Sequence, residues 1–335
     1  MGDGTGERGE GRRTWLLSCI GVDAELALLP HFLDHYLSLG IPPGRMRLLL
    51  NAADAASPGL DAADRILAAR GVPAGTRWIA RYTSDAMWRE RRALQARVAG
   101  EGDWIVNADA DELHRYPAPL GEVAAYLDAG GFGAVQGVLI DRLSPDGALA
   151  PVRGDAPLAA QFPVRADVSL AVIGIGATHG VVGTTKLMLH RHDVLPDRGG
   201  HTALGGEGRA RYAAGVRLSV FPGAARPAWR DGFAFQVDHY KWTATLQGSL
   251  ARRLATAGAS AAGREYGGKI DRYLARHGRV RLKDAAILGG RAPPAADWRD
   301  TLARMRREAP YWKVRNALRH KAAVLTGRAG RRASS

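Results

Sequence analysis

Apolar residues along the first third of the chain switch repeatedly between two spacings. Residues 14–22 (TWLLSCIGV) form a continuous apolar run of strand length. Leu29, Phe32, Leu33, Tyr36 and Leu37 then recur at helical spacing, and Gly40 followed by Pro42 ends that helix. Pro30 places the helix start near Leu28, because proline is tolerated only in a first turn. The rhythm repeats with a strand over 46–51, a helix over 58–71, a strand over 76–83 and a helix over 84–102 with Ser84 as N-cap. Residues 103–106 (DWIV) form a fourth strand and 119–130 a further helix. Strands alternating with helices predict an α/β fold with a parallel sheet, whose ligands bind beyond the C-terminal strand ends.

After residue 130 the rhythm changes. Residues 132–144, 168–175, 184–192, 215–223 and 233–242 are of strand type with few helices between them. They predict a mixed or antiparallel extension of the same sheet. Helical patterning returns over 243–257, 264–277 and 298–325, a C-terminal helical extension. The expected organisation is a disordered tail over 1–13, a main domain over 14–257, the extension over 258–325 and a basic tail over 326–335. The first thirteen residues (MGDGTGERGEGRR) have no apolar core and do not form a signal peptide. No run of eighteen apolar residues occurs.

Composition changes this picture little. At 46% hydrophobic residues over 335 positions, a substantial core is expected. Cys19 is the only cysteine, so no intramolecular disulfide and no thiolate metal cluster can form. The net charge of +14 rests on 41 arginines and six lysines. Excess arginine attracts phosphates, but no zinc-finger or RNP pattern accompanies it, so nucleic acid is not the expected partner. The basic C-terminus is a place for peripheral contact with an acidic membrane surface, and a cytoplasmic location is expected.

The informative chemistry is the stretch 103–116 (DWIVNADADELHRY). Asp109, Asp111 and Glu112 follow directly on an apolar strand, at the end where α/β sheets bind ligands. Two carboxylates two residues apart in a turn can face one hard cation, Mg²⁺ or Mn²⁺, that bridges to phosphate oxygens. Ala110 would let a ligand approach the backbone, and no basic run stands beside the acids in the chain. An EF-hand fails, because His114 and Leu120 stand where Gly and Glu are required. A haloacid-dehalogenase-like phosphotransferase is a weaker alternative, and a basic nucleic-acid-binding protein without catalysis is a third.

The segment WIVNADADEL resembles the D-x-D region of GT-A glycosyltransferases, in particular the family 2 and family 92-like group. Glu25 before an apolar helix, His35-Tyr36, residues 141–149 (DRLSPDGAL), 161–163 (QFP), 186–201 (KLMLHRHDVLPDRGGH) and 237–242 (VDHYKW) follow in the order of that group. The resemblance covers about residues 14–257. It implies a Rossmann-like mixed sheet flanked by helices, and a hexosyltransferase-type enzyme using a nucleotide sugar, a UDP-sugar first. The donor half would be 14–130 and the acceptor half 131–257, with a glycan, a lipid or a small molecule as acceptor. Asp109, Asp111 and His201 would hold the metal. Glu25, Arg89, Arg92, Asn107, Asp109 and Ala110 would contact the donor, and His239 and Tyr240 the acceptor. An inverting transfer would take Asp141 or Asp193 as base.

Overall fold

The computed structural model describes residues 13–174, 181–205, 208, 210–255, 261–289 and 297–325. The expected N-terminal tail lies outside them but for Arg13, and the tail over 326–335 lies wholly outside.

The first strands and helices follow the apolar spacing. β1 (Thr14–Gly21), β2 (Met46–Ala52), β3 (Thr76–Ile79) and β4 (Trp104–Asn107) alternate with α1 (Leu29–Ser38), α2 (Pro58–Ala68) and α3 (Ser84–Val98). Both faces of β1 are covered, as expected of a parallel strand. Leu16 and Ile20 face a core shared with α1 and α2, whereas Trp15, Leu17 and Cys19 face Met87, Trp88 and Leu94 of α3. The N-cap of α3 is Thr83, whose hydroxyl accepts the Ala86 amide at 3.2 Å, one residue before the expected Ser84.

The second half departs further from the pattern. Its strands are β5 (Glu112–Arg115), β6 (Ala134–Leu143), β7 (Val164–Asp167), β8 (Thr185–Arg191), β9 (Gln236–His239) and β10 (Ala286–Ile287), with α4 (Leu120–Ala129) between β5 and β6. The main sheet runs β10-β7-β6-β8-β4-β1-β2-β3. The strands from β4 to β3 are parallel, and β8, β6, β7 and β10 extend the sheet antiparallel from β4. A short ribbon branches off: β9 lies parallel to β6 and carries β5 antiparallel on its other edge.

Among the described residues, two expected strands are absent. Residues 168–171 form one helical turn, because Asp167 caps it by accepting the Leu170 amide. Residues 215–223 run through 3₁₀ turns at Leu218–Val220 and Pro222–Ala225, where the proline has no amide for a ladder. Of the C-terminal helices, α5 (Thr245–Ala255) and α6 (Ala261–His277) close a separate apolar cluster over β6 and β7 through Leu246, Leu250, Ile270 and Leu274. α7 (Trp298–Leu325) returns to the main core through Trp298, Leu302 and Met305.

Strand order creates one topological reversal. The chain moves outward from β1 to β2 to β3, and then crosses back so that β4 lies on the other side of β1. In such sheets ligands bind where the order reverses, here at the loops leaving β1 and β4. The acidic turn is the loop leaving β4.

Candidate functional site

The acidic turn is tied to itself before anything else holds it. The Glu112 amide donates to the Asp109 carbonyl at 3.0 Å, and the Asp109 amide donates to Glu112 Oε2 at 2.9 Å. This closes a tight turn and starts β5 at Glu112. Asp109 and Asp111 keep 34% and 24% of their side-chain surface exposed, whereas Glu112 keeps 4%.

Two cations from distant parts of the chain grip Asp109. Arg91 of α3 reaches Oδ1 at 2.5 Å and Lys186 of β8 reaches Oδ2 at 3.2 Å. Arg91 also donates to the Leu17 and Ala108 carbonyls, and so fastens the middle of β1 to the end of β4. Lys186 is wholly buried, pairs with Glu112 at 2.7 Å and donates to the Gly199 carbonyl. Burial works against the charge on Asp109, but Lys186 and Arg91 outweigh it and hold the carboxyl well below its usual range. Glu112 is different, and burial pushes its carboxyl up to about 7. The expectation that the acids lack basic neighbours is thus corrected. Lys186 is 77 positions from Asp109 in the chain, and only the antiparallel pairing of β8 with β4 brings it there.

Among the described residues, the charged side chain that pairs with Asp111 is His239. His239, at the end of β9, points Nε2 at Asp111 Oδ2 across 3.5 Å, and its Nδ1 meets Asp141 Oδ1 at 2.9 Å. Burial opposes the charge on His239, but Asp111 and Asp141 reverse the balance and push the imidazole up to about 10. Asp141 Oδ2 in turn accepts the Val168 and Ser169 amides at 3.0 and 3.2 Å. A fixed carboxylate thus orients a cationic imidazole at the acidic turn.

The expected site residues divide accordingly. Asp109, Asp111, Asp141 and His239 come together. Asp141 is 3% exposed and engaged on both oxygens, so it stands as the residue that orients His239 and not as a free base. Asp193 is exposed beyond the far end of β8, where Arg191 pairs with Trp104 at the start of β4. It lies at the opposite end of the sheet from Asp109, so the structure does not bring it to the site. Arg89 is exposed and pairs with Glu90, while Arg92 donates to the Pro196 carbonyl. The helix presents Arg91 to the acids instead, because residues 89 and 92 share a face that 91 does not. No local signal separates these three arginines.

Glu25 accepts the Gly21 amide at 2.7 Å and so shapes the loop leaving β1. Asn107 and Ala110 are buried, and the Asn107 side-chain amide nitrogen has no hydrogen-bond partner. Gly200 has φ +65°, and a Cβ there would stand 2.7 Å from both Asn107 and Trp88. Only glycine lets the loop after β8 approach this closely.

His201 does follow that loop toward Lys186, but its Nδ1 lies 2.6 Å from the Thr185 carbonyl. Burial and Lys186 depress it to about 4, so it is neutral. Among the described residues no group of three or more His, Cys, Asp or Glu side chains converges as a metal site. The expected trio of Asp109, Asp111 and His201 is not such a group: Arg91 and Lys186 already face the two oxygens of Asp109, while the Thr185 contact engages only one of the two ring nitrogens of His201.

Tyr240 turns away from the acidic turn. Its amide donates to the Asp111 carbonyl at 2.7 Å, while its ring lines a cavity of about 590 Å³ with His31, Leu113, Arg115, Pro157 and Asp238. Three guanidiniums, Arg115, Arg142 and Arg165, lie 3.5–3.7 Å from Asp238.

No protein-family profile matches the chain, and no curated protein sequence matches it. Solved structures superpose loosely. TarS 1–349 from S. aureus aligns with a TM-score of 0.31 and 11% identity, over 81% of this chain and 76% of that one. A mannose-1-phosphate geranyltransferase from Thermus thermophilus aligns with a TM-score of 0.23 and 14% identity, over 46% of this chain and 48% of that one. A UDP-glucose pyrophosphorylase complexed with UDP-glucose aligns with a TM-score of 0.23 and 8% identity, over 80% of this chain and all of that one.

Proposed function

We propose that the chain is a GT-A-like glycosyltransferase that takes its sugar from a nucleotide-sugar donor, a UDP-sugar first, and passes it to a hydroxyl acceptor. The observation that carries the reading is the position of the acidic turn: Asp109 and Asp111 leave β4 at the reversal of strand order beside β1. The ordered motifs that resemble the glycosyltransferase group support it independently.

In this reading the donor lies over the loops that leave β1 and β4. The Asp111 carboxylate accepts hydrogen bonds from its hydroxyls, and Asp109 holds the turn beside it. Arg91 and Lys186 fix Asp109, and Asp141 fixes His239, so the acceptors are in place before the donor arrives. As the bond from the anomeric carbon to the diphosphate breaks, negative charge grows on the leaving oxygens. The cationic imidazole of His239 is the group at the turn suited to meet it.

A phosphotransferase reading is less favoured, because a nucleophilic aspartate needs a free oxygen and Asp109 has a cation on each. Isothermal titration with UDP, in EDTA and again in Mn²⁺, tests the proposal. Binding in either condition that weakens at least about a hundredfold in Asp111→Asn supports it. Absence of binding in both conditions, or binding indifferent to that substitution, ends it. Hydrolysis of a panel of nucleotide sugars then identifies the sugar and base, and the anomeric configuration of the product decides between inversion and retention.

A further inference from the structure

Helix α7 has two apolar faces, and the fold uses only one. Trp298, Leu302, Met305 and Ala309 are buried at helical spacing. Arg306 donates to the Ala213 carbonyl and Asn316 to the Val220 carbonyl, which fasten this face to the domain. Tyr311, Val314 and Leu318 follow the same helical spacing, yet they are 59%, 61% and 62% exposed. At about 100° per residue they fall roughly opposite the docked face. Large apolar side chains aligned on a solvent-facing helix mark a binding surface more often than scattered ones do.

Charge indicates what covers it. After Glu308 the chain contains no acidic residue, and residues 309–335 carry Lys313, Arg315, Arg319, Lys321, Arg328, Arg331 and Arg332. Arg315 stacks on the Tyr311 and Trp312 rings and donates to the Tyr311 hydroxyl, so its charge lies at the rim of the apolar stripe. A second copy of this surface would bring basic residues against basic residues. A nucleic acid would answer the charge but leave the apolar stripe in water. A bilayer with anionic headgroups answers both: the stripe enters the acyl boundary, tyrosine lies at the interface, and arginine and lysine reach the headgroups. Among the described residues no helix is long and apolar enough to cross a membrane, so the contact would be peripheral.

We infer that the exposed face of α7, formed by Tyr311, Val314 and Leu318 and flanked by basic residues, lies on an anionic membrane surface. This placement is independent of the proposed chemistry. It would hold the enzyme at the surface of a bilayer, whatever its acceptor.

Flotation of the full chain with phosphatidylcholine vesicles, with and without phosphatidylglycerol, tests it. The protein should float with the anionic vesicles and be released by high salt. The triple variant Tyr311→Ser, Val314→Ser, Leu318→Ser should partition at least about tenfold less. The pair Arg315→Glu, Lys321→Glu should lose about fivefold or more per position. All five side chains are on the surface, and unchanged thermal melts check that the variants fold. Failure to float with anionic vesicles, or a triple variant that floats as well as the parent, overturns the inference. A dimer in sedimentation that the triple variant abolishes would assign the face to a second copy and overturn it too.

Discussion

The two sides of the acidic turn are held by different kinds of cation. On the side of α3 and β8, Asp109 faces the Arg91 guanidinium and the Lys186 ammonium. On the side of β9 and β6, Asp111 faces His239, whose charge exists only because two carboxylates flank it. The first side reads as a clamp that joins α3 and β8 to the acidic turn, and the second as an adjustable group whose charge depends on its partners. Carboxylates two residues apart in the sequence can therefore serve different ends, with one needed chiefly for structure and the other available for ligand.

Removing the permanent clamp should have the largest effect. Lys186→Met leaves Asp109 and the buried Glu112 without their shared cation, and should cost about 3–5 kcal/mol in urea unfolding at neutral pH. Adding Glu112→Gln to that variant should return part of the loss.

A smaller contrast separates the acids themselves. Asp109→Asn leaves two buried cations short of an acceptor and should destabilise by about 1–3 kcal/mol. Asp111→Asn should cost clearly less, because His239 can release its proton once its partner is neutral. Equal losses for the two variants would break the comparison.

The pH dependence sharpens it further. His239 titrates near 10 in the folded protein against an ordinary value of about 6.5. Its contribution to stability is therefore complete below about pH 6.5, and declines as the pH rises toward 10. Each unit by which Asp141 raises that value is worth about 1.4 kcal/mol. Asp141→Asn should lower the imidazole pKa by at least one unit in NMR titration, and should flatten the fall in urea midpoint over this range.

The smallest effect is expected at Asp193→Ala. An exposed residue at the far end of the sheet should alter neither nucleotide binding nor stability by more than about 0.5 kcal/mol.

Much of the fold was legible in the chain. Strand-length apolar runs and helical spacing located β1 to β4 and α1 to α4, because each pattern reflects burial of a local face. The acidic turn was legible as chemistry for the same reason, since three acids next to an apolar strand is a local signal. The misreadings arose where locality failed. Residues 215–223 have strand composition but no place in the ladder, and β5 hides within the acidic motif itself. Arg91 could not be told from Arg89 and Arg92 without the orientation of α3.

By itself, then, the sequence determined the α/β class, the position of the acidic turn at a strand end and the all-basic character of the C-terminus. Only the tertiary structure decided which side chains balance the acids. Lys186 lies 77 residues from Asp109, and His239 lies 98 from Asp141. Apolar periodicity reports which face of an element is buried, but not which element covers it. Ion pairing depends on contacts of a few ångströms between strands that the chain brings together only by folding.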